Sequence, residues 1–192
     1  MRQPIEDKYI NISRAVGSVT YPADFMLVCA MNPCPCGYYP DMNRCRCTEP
    51  QIIKYISRIS GPILDRIDLC VELHPVDVRA LNGAECGESS ADMREAVSRA
   101  RRLQRKRFEG TEYRFNSEIK PSDMEEYCRL GKAQRRKLEE IYDTLGLSAR
   151  TYYRILRVAR TIADIEGSME IMEEHLLEAA CYRPDEKYWR GK

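Results

Sequence analysis

The hydrophobic pattern divides the chain into a first part with short apolar runs and a second part with helical periodicity. Residues 9–12 and 25–31 are apolar over most of their length. Because a run that is apolar on both faces is typical of a buried strand in a parallel sheet, we predict such a strand at residues 25–31. Residues 67–73 alternate between apolar and polar side chains, which predicts a strand covered on one face.

Helical spacing first appears after these runs and then dominates the chain. Isoleucines recur on one face of residues 49–59, and Pro62 ends that pattern. Further helices are predicted at residues 90–108, capped by Ser90, and at 121–129, 132–145, 149–166 and 172–182. Gly146 and Gly167 end two of them. Arg154, Arg157 and Arg160 recur at three-residue spacing and predict a solvated or inter-subunit face.

These elements predict an α/β fragment followed by an all-α domain, so that the chain is mostly helical. We place the α/β part at residues 1–78, a linker at 79–88 around Asn82-Gly83, and the helical domain at 89–192. About three strands are too few for a complete doubly wound sheet, so the first part is predicted to be a piece of a larger domain.

Composition and charge restrict the location of the protein but identify no partner. The 192 residues include 31 Lys+Arg and 30 Asp+Glu, a net charge of +1. No apolar run approaches the roughly 20 residues that cross a bilayer, and the N-terminus lacks the apolar core of a secretory signal. We therefore expect a cytoplasmic protein without a membrane partner.

Four of the nine cysteines fall within a short loop, which we place at residues 33–48. Cys34 and Cys36 form one C-x-C pair, and Cys45 and Cys47 form a second. Four thiolates are the ligand set of a tetrahedral structural Zn²⁺ site. The one-residue spacing departs from the usual C-x₂-C knuckle, and reduced cysteines without a metal remain an alternative. Disulfides are a third reading, which a reducing compartment disfavours.

Four stretches, in the same order, resemble the magnesium-chelatase-like family of AAA+ ATPases, the competence M protein type. Residues 2–6 (RQPIE) resemble the segment after the Walker B acidic pair, and residues 25–37 (FMLVCAMNPCPCG) resemble the sensor 1 strand and its extension. Residues 60–68 (SGPILDRID) resemble the arginine-finger segment, and residues 147–167 (LSARTYYRILRVARTIADIEG) resemble the sensor 2 helix. The resemblance implies the C-terminal part of an AAA+ core followed by its helical lid.

The chain departs from the family pattern because it lacks the ATP-binding motifs. No G-x-x-x-x-G-K-[ST] string occurs, and no apolar strand ends in Asp-Glu, so Walker A and Walker B are both missing. Without these two motifs the chain lacks the residues that bind the phosphates and Mg²⁺. We therefore expect this chain by itself to be inactive, and the resemblance implies that ATP and Mg²⁺ bind to a longer parent ATPase.

The resemblance assigns roles to two arginines and one asparagine. Asn32 would be the sensor 1 residue, at the end of the predicted strand; locally it also reads as a turn Asn before a proline. Arg150 would be the sensor 2 arginine, in the first turn of its helix. A cation there is disfavoured by the helix dipole, which suits an arginine that binds phosphate. The alternative is an exposed arginine without a role, and whether Arg150 acts in cis or in trans is open.

Arg66 would be the arginine finger that reaches the γ-phosphate bound by a neighbouring subunit. Its planar fork matches the negative charge that spreads over the phosphoryl group in the transition state. The alternative is a surface salt bridge to Asp65 or Asp68, worth about 0 to 1 kcal/mol.

The parent protein implied by the resemblance is a homo-oligomeric, hexameric ring that moves DNA, as a branch-migrating helicase in competence. The predicted helix at residues 90–108 carries seven basic residues that could follow a phosphate backbone, although it lacks interleaved aromatics and could equally be a solvated face. Two alternatives remain. The parent could be the motor subunit of a magnesium chelatase, or residues 89–192 could be a helical interaction module without a DNA role.

Overall fold

A computed structural model describes residues 2–73 and 87–184. They separate into two compact units. The first unit comprises the described residues up to Ile67 together with Pro184, and the second unit is Asp68–Arg183. Most of the linker predicted at residues 79–88 lies outside the described residues, so its limits stay a prediction.

The first unit begins with a short helix and a two-stranded hairpin. Helix α1 (Arg2–Asp7) is followed by strands β1 (Tyr9–Arg14) and β2 (Gly17–Pro22), which pair antiparallel with Tyr9 opposite Pro22. The apolar run at residues 9–12 therefore lies in a strand, as predicted. Every residue of both strands is exposed.

The other two predicted strands are wrong. Residues 25–31 and 67–73 have no regular secondary structure, and most of their side chains are exposed, including Met26 and Val71. A parallel strand gains its hydrogen bonds only from neighbouring strands. Within the described residues the sheet contains β1 and β2 alone, so neither run has a strand to pair with.

Two further helices lie in the described part of the first unit. Helix α2 (Glu49–Ile56) begins after Thr48, whose backbone N–H donates to Oε1 of Gln51 at 2.9 Å. It ends three residues before the predicted limit. Helix α3 (Gly61–Leu64) follows, and Pro62 lies in its first turn. The proline therefore starts a new helix as well as ending the old pattern.

The second unit is helical, as the periodicity predicted. Within residues 87–184 its helices are α4 (Ser90–Arg107), α5 (Met124–Tyr127), α6 (Lys132–Leu145), α7 (Ala149–Glu166) and α8 (Glu173–Cys181), with 3₁₀ turns at Asn116–Glu118 and Pro121–Asp123. The N-cap of α4 is Ser89 rather than Ser90. Gly167 ends α7 with a φ of 79°, in the left-handed region that glycine adopts without strain.

The apolar face of α7 forms the centre of the core. It packs against α4, α6, α8 and the segment between α4 and α6, in one continuous cluster. The fully buried members include Ile119, Leu138, Ile155, Ile171 and Leu176. The predicted fold class is confirmed, since the molecule is mainly helical with a small two-stranded sheet.

The predicted solvated or inter-subunit face of the α7 arginines is wrong. Arg154 and Arg160 are buried, with 6% and 4% of their surface exposed. Arg157 donates to the backbone carbonyl of Ile119 from Nε at 3.0 Å and Nη2 at 2.6 Å. Arg157 and Arg160 bind acceptors within the second unit because other segments fold over them.

Asp164 is the acceptor that unites the buried charges. Its side chain is fully buried and accepts from Nε of Arg160 at 3.1 Å and from both terminal nitrogens of Arg107. Nδ2 of Asn116 donates to the same carboxylate at 2.8 Å. Arg160 also donates to the carbonyls of Ser168 and Met169, just after the end of α7. One carboxylate thus connects α4, α7 and two loops.

The described residues show neither an unsatisfied buried group nor a membrane span. Every buried side-chain nitrogen or oxygen in residues 2–73 and 87–184 has a hydrogen-bond partner. Over the same residues no helix combines the length and the apolar content that crossing a membrane requires.

Replacing the central carboxylate should strongly destabilise the second unit. We expect Asp164→Asn to lower the free energy of unfolding by about 3 to 5 kcal/mol, because it leaves two guanidinium groups without a counter-charge. Urea unfolding followed by helical circular dichroism measures this. The control is Arg135→Ala, which removes an exposed ion pair with Glu125 and should cost no more than about 1 kcal/mol. Equal losses in the two variants would contradict the role given to Asp164.

Candidate functional site

The structure brings the four predicted metal-binding cysteines together. The Sγ atoms of Cys34, Cys36, Cys45 and Cys47 all lie within 4.8 Å of one another. Sγ of Cys34 lies 3.3 Å from that of Cys36 and 3.8 Å from that of Cys45, and the Cys36–Cys45 separation is 3.6 Å. All four are free thiols.

Two backbone turns place the sulfurs. After the first pair, the N–H of Gly37 donates to the carbonyl of Cys34 at 3.0 Å, and Gly37 has a φ of 84°. Before the second pair, the carbonyl of Asp41 accepts from the N–H of Cys45 at 2.8 Å, while its Oδ1 accepts from the N–H of Asn43 at 3.0 Å. Gly, Asn and Asp are the residues that such turns favour, so the local sequence itself folds the loop.

The cysteines pack on the buried face of α2. Cys34 is completely buried against Ile52 and Ile56, and Tyr39 and Tyr55 are partly buried beside them. Cys34, Ile52 and Ile56 are the buried side chains among the described residues of the first unit, and Cys34 is the one with no exposed surface. The core of that unit is therefore built around sulfur.

The surroundings of the sulfurs shift their pKa values in opposite directions. Backbone hydrogen bonds from Tyr38 and Arg46 lower the pKa of Cys36 to about 6, because they stabilise its thiolate. Burial raises the pKa of Cys47 to about 12, because it disfavours the charged form. The polypeptide alone thus favours a thiolate at one member of the cluster and a thiol at another.

Asn32 lies directly before this loop. Its side chain is close to Gly37, where an added Cβ would lie 3.7 Å from Nδ2 of Asn32. The residue is exposed and follows a segment without regular structure, rather than a strand. A polar group next to the cysteine loop is what the structure shows; the sensor 1 role stays a prediction.

Arg66 is held by two acceptors of the first unit. Its Nε and Nη2 donate to Oε2 of Glu6 at 2.9 and 2.5 Å, and its Nη1 donates to the carbonyl of Pro62 at 2.5 Å. The arginine side chain is 16% exposed. The salt bridge considered from the sequence therefore exists with a different partner, sixty residues away rather than at Asp65 or Asp68. Sequence spacing gives no signal for such a pair.

Arg150 occupies the first turn of α7 in the second unit, as predicted, and is exposed. The N-cap is Ser148, whose Oγ accepts from the N–H of Thr151 at 3.2 Å. An exposed guanidinium close to a helix N-terminus can bind an anion together with the free backbone N–H groups. The structure therefore groups the four cysteines at one site and places Arg66 and Arg150 in separate units.

Helix α4 divides its seven basic residues among three environments. Arg107 belongs to the buried Asp164 network, and Arg101 stacks on Phe115 with its guanidinium carbon 3.9 Å from the ring centre. The other five are exposed: Arg94, Arg99, Arg102, Arg105 and Lys106. Phe115 is an aromatic partner that the helix sequence itself lacks.

Comparison with known families gives two matches that follow one another along the chain. Residues 1–81 match the family described as magnesium chelatase, subunit ChlI. Residues 87–183 match magnesium chelatase, subunit ChlI C-terminal. The chain belongs to the magnesium chelatase ChlI family. The resemblance inferred from the four sequence stretches is confirmed.

Relatives within this family come from several bacteria. The chain is 41% identical over 184 residues to the competence protein ComM of Haemophilus influenzae, covering 95% of the chain and 35% of that protein. It is 42% identical over 185 residues to the uncharacterized protein YifB of Escherichia coli, with the same coverage. An uncharacterized protein of Mycobacterium bovis is 36% identical over 167 residues, covering 87% of the chain and 33% of its own length.

The chain spans about a third of the length of these relatives. The family is therefore shown for the part that the chain contains. The roles of individual residues, and any activity of a whole protein of this family, are proposals.

Proposed function

We propose that this chain supplies the arginine finger, the two sensor residues and the helical lid of a ring-forming ATPase that acts on DNA. In this proposal Asn32 serves as sensor 1, Arg66 as the finger and Arg150 as sensor 2. ATP and Mg²⁺ bind to the remainder of the protein, and copies of the chain assemble in a hexameric ring. Family membership supports the ATPase class, and the name of the Haemophilus relative, a competence protein, favours DNA over a porphyrin as the substrate.

The position of the Arg66 guanidinium carries this proposal. Glu6 and the Pro62 carbonyl hold three of its nitrogens, so the planar group has a defined orientation before any nucleotide arrives. A pre-oriented arginine loses little side-chain freedom when it meets a phosphate. At a subunit interface it would stabilise the charge that develops on a neighbour's γ-phosphoryl group.

The exposed basic side of α4 supports DNA as the partner. Arg94, Arg102 and Arg105 are exposed on one side of the helix, away from buried Ala100 and Gln104. Side chains on such a side can contact successive phosphates and release their counterions. The second candidate, a magnesium-chelatase motor, keeps the same ATPase parts and needs no such surface.

Comparing variants of Arg66 and of Glu6 distinguishes an arginine finger from a structural ion pair. The test protein is a fusion in which this chain replaces the matching segment of the Haemophilus relative. Arg66→Ala should lower its ATP turnover by about 100-fold or more, and Arg66→Lys should fail to restore it, because an ammonium lacks the planar fork. Glu6→Gln should keep most of the turnover, because its amide oxygen can still accept from Arg66 and so preserve the orientation of the guanidinium. If Glu6→Gln and Arg66→Ala lose turnover equally, Arg66 serves the ion pair and not catalysis.

Arg150 should also be required for turnover in the same fusion. We expect Arg150→Ala to reduce it by about 100-fold, since the proposed sensor contacts the transferred phosphoryl group directly. The exposed Arg136, on α6, provides the control, and Arg136→Ala should have no effect. Mixing Arg150→Ala subunits with Arg66→Ala subunits then distinguishes the two sides of the interface. If Arg150 acts in cis, mixed interfaces contain one intact site and turnover returns. If Arg150 acts in trans like Arg66, both residues come from the same subunit and turnover stays lost.

DNA binding by α4 should show in its salt dependence. Replacing Arg102 and Arg105 together with Gln should reduce the slope of log K against log salt by about 1.8, at about 0.9 for each lost phosphate contact. The Lys132→Gln, Arg136→Gln double variant removes the same charge from α6 and should leave the slope unchanged. Equal slopes in all three proteins would identify the α4 face as solvated and favour the chelatase motor or a helical interaction module.

A further inference from the structure

We propose that Cys34, Cys36, Cys45 and Cys47 bind a single zinc ion, and that this ion folds the loop and the helix α2 that packs on it. The cluster is not used by the ATPase function proposed above, and its test does not depend on that function. The proposal is based on the separations of the four sulfurs and on the composition of the core around them.

The sulfur separations match the edge of a zinc–thiolate tetrahedron. A Zn–S bond of about 2.3 Å gives a distance of about 3.8 Å between any two ligand sulfurs. The recorded separations of 3.8 and 3.6 Å agree with this edge, and the 3.3 Å separation needs only a small opening. The two C-x-C pairs thus converge on one point from opposite ends of the loop.

The same distances argue against two alternatives, namely disulfide bonds and a four-iron cluster. A disulfide brings two sulfurs to about 2.05 Å, and a pair of disulfides would leave no reason for four sulfurs to share one site. A four-iron cluster holds its cysteine sulfurs further apart, because a cube of iron and sulfide lies between them. A single soft-ligand ion fits the space, and zinc is the usual metal for four thiolates in tetrahedral geometry.

Four protein ligands make this a structural site and not a catalytic one. A catalytic zinc keeps one position open for water or substrate, whereas four cysteines fill the tetrahedron. Among the described residues of the first unit, the buried apolar side chains beside them are Ile52 and Ile56, both from α2. A core of this size is too small to hold a segment folded, so the metal would provide much of the stability.

The cysteine site also fixes α2, from which the segment that carries Arg66 continues. From α2 the backbone continues in hydrogen-bonded turns, with the N–H of Ile59 donating to Ile56 at 3.0 Å and that of Ile63 donating to Ser60 at 2.9 Å. The N–H of Arg66 donates to Ile63 at 2.9 Å. Fixing α2 on the metal therefore anchors the segment that carries the proposed finger.

Metal analysis of the purified whole chain tests the proposal. We expect a single zinc ion per chain by mass spectrometry of the metal content, and less than a tenth of that in Cys36→Ser and in Cys45→Ser. Cys29→Ser is the matched control, because Cys29 is an exposed free thiol of the same unit, and it should retain the zinc. Wild-type protein without zinc, or unchanged zinc in Cys36→Ser, would overturn the proposal. Iron with inorganic sulfide would overturn it equally.

A second measurement on the wild-type chain guards against variants that fail to fold. Exchange of the metal for Co²⁺ should give the visible absorption of a tetrahedral tetrathiolate complex. Removal by a chelator should make residues 33–59 sensitive to proteolysis while the second unit stays resistant, and added zinc should restore protection. Proteolysis that ignores the chelator, or a cobalt spectrum without thiolate bands, would contradict the proposed site.

Discussion

The buried carboxylate of Asp164 is the constraint on which the helical unit depends. A charge without access to water must be balanced within the protein, and here Arg107 and Arg160 provide two guanidinium groups. Those arginines belong to different helices, and Arg160 also reaches the carbonyls beyond the end of α7. The need to balance the Asp164 carboxylate therefore determines how α4, α7 and the following loop pack. The apolar core fills the space between them.

The first unit is organised on a different principle. It buries few apolar side chains, and those it buries pack on cysteines. Its hairpin is fully exposed, and residues 25–31 have no strand to pair with among the described residues. Such a unit must derive its order from a few strong interactions, and the four sulfurs and the Glu6–Arg66 pair are the ones that the structure offers.

These two principles suit the function that we propose. A lid that responds to nucleotide must move as a body, and a fully satisfied charge network gives α4 and α7 that rigidity. A finger must instead be oriented by a local brace, which Glu6 and Pro62 provide for Arg66. The remaining exposed arginines of α4 are free of the core and available to a polyanion.

The sequence by itself determined the family, the fold class and nearly every helix of the second unit, because caps, glycine stops and apolar periodicity are local signals. It also identified the four cysteines as a set, since two C-x-C pairs lie close in the chain. Only the tertiary structure decided the long-range matters: that Arg66 binds Glu6, that Arg160 is buried on Asp164, and that residues 25–31 form no strand. Ion-pair partners and strand pairing depend on segments far apart in sequence, and no local pattern records which of them will meet.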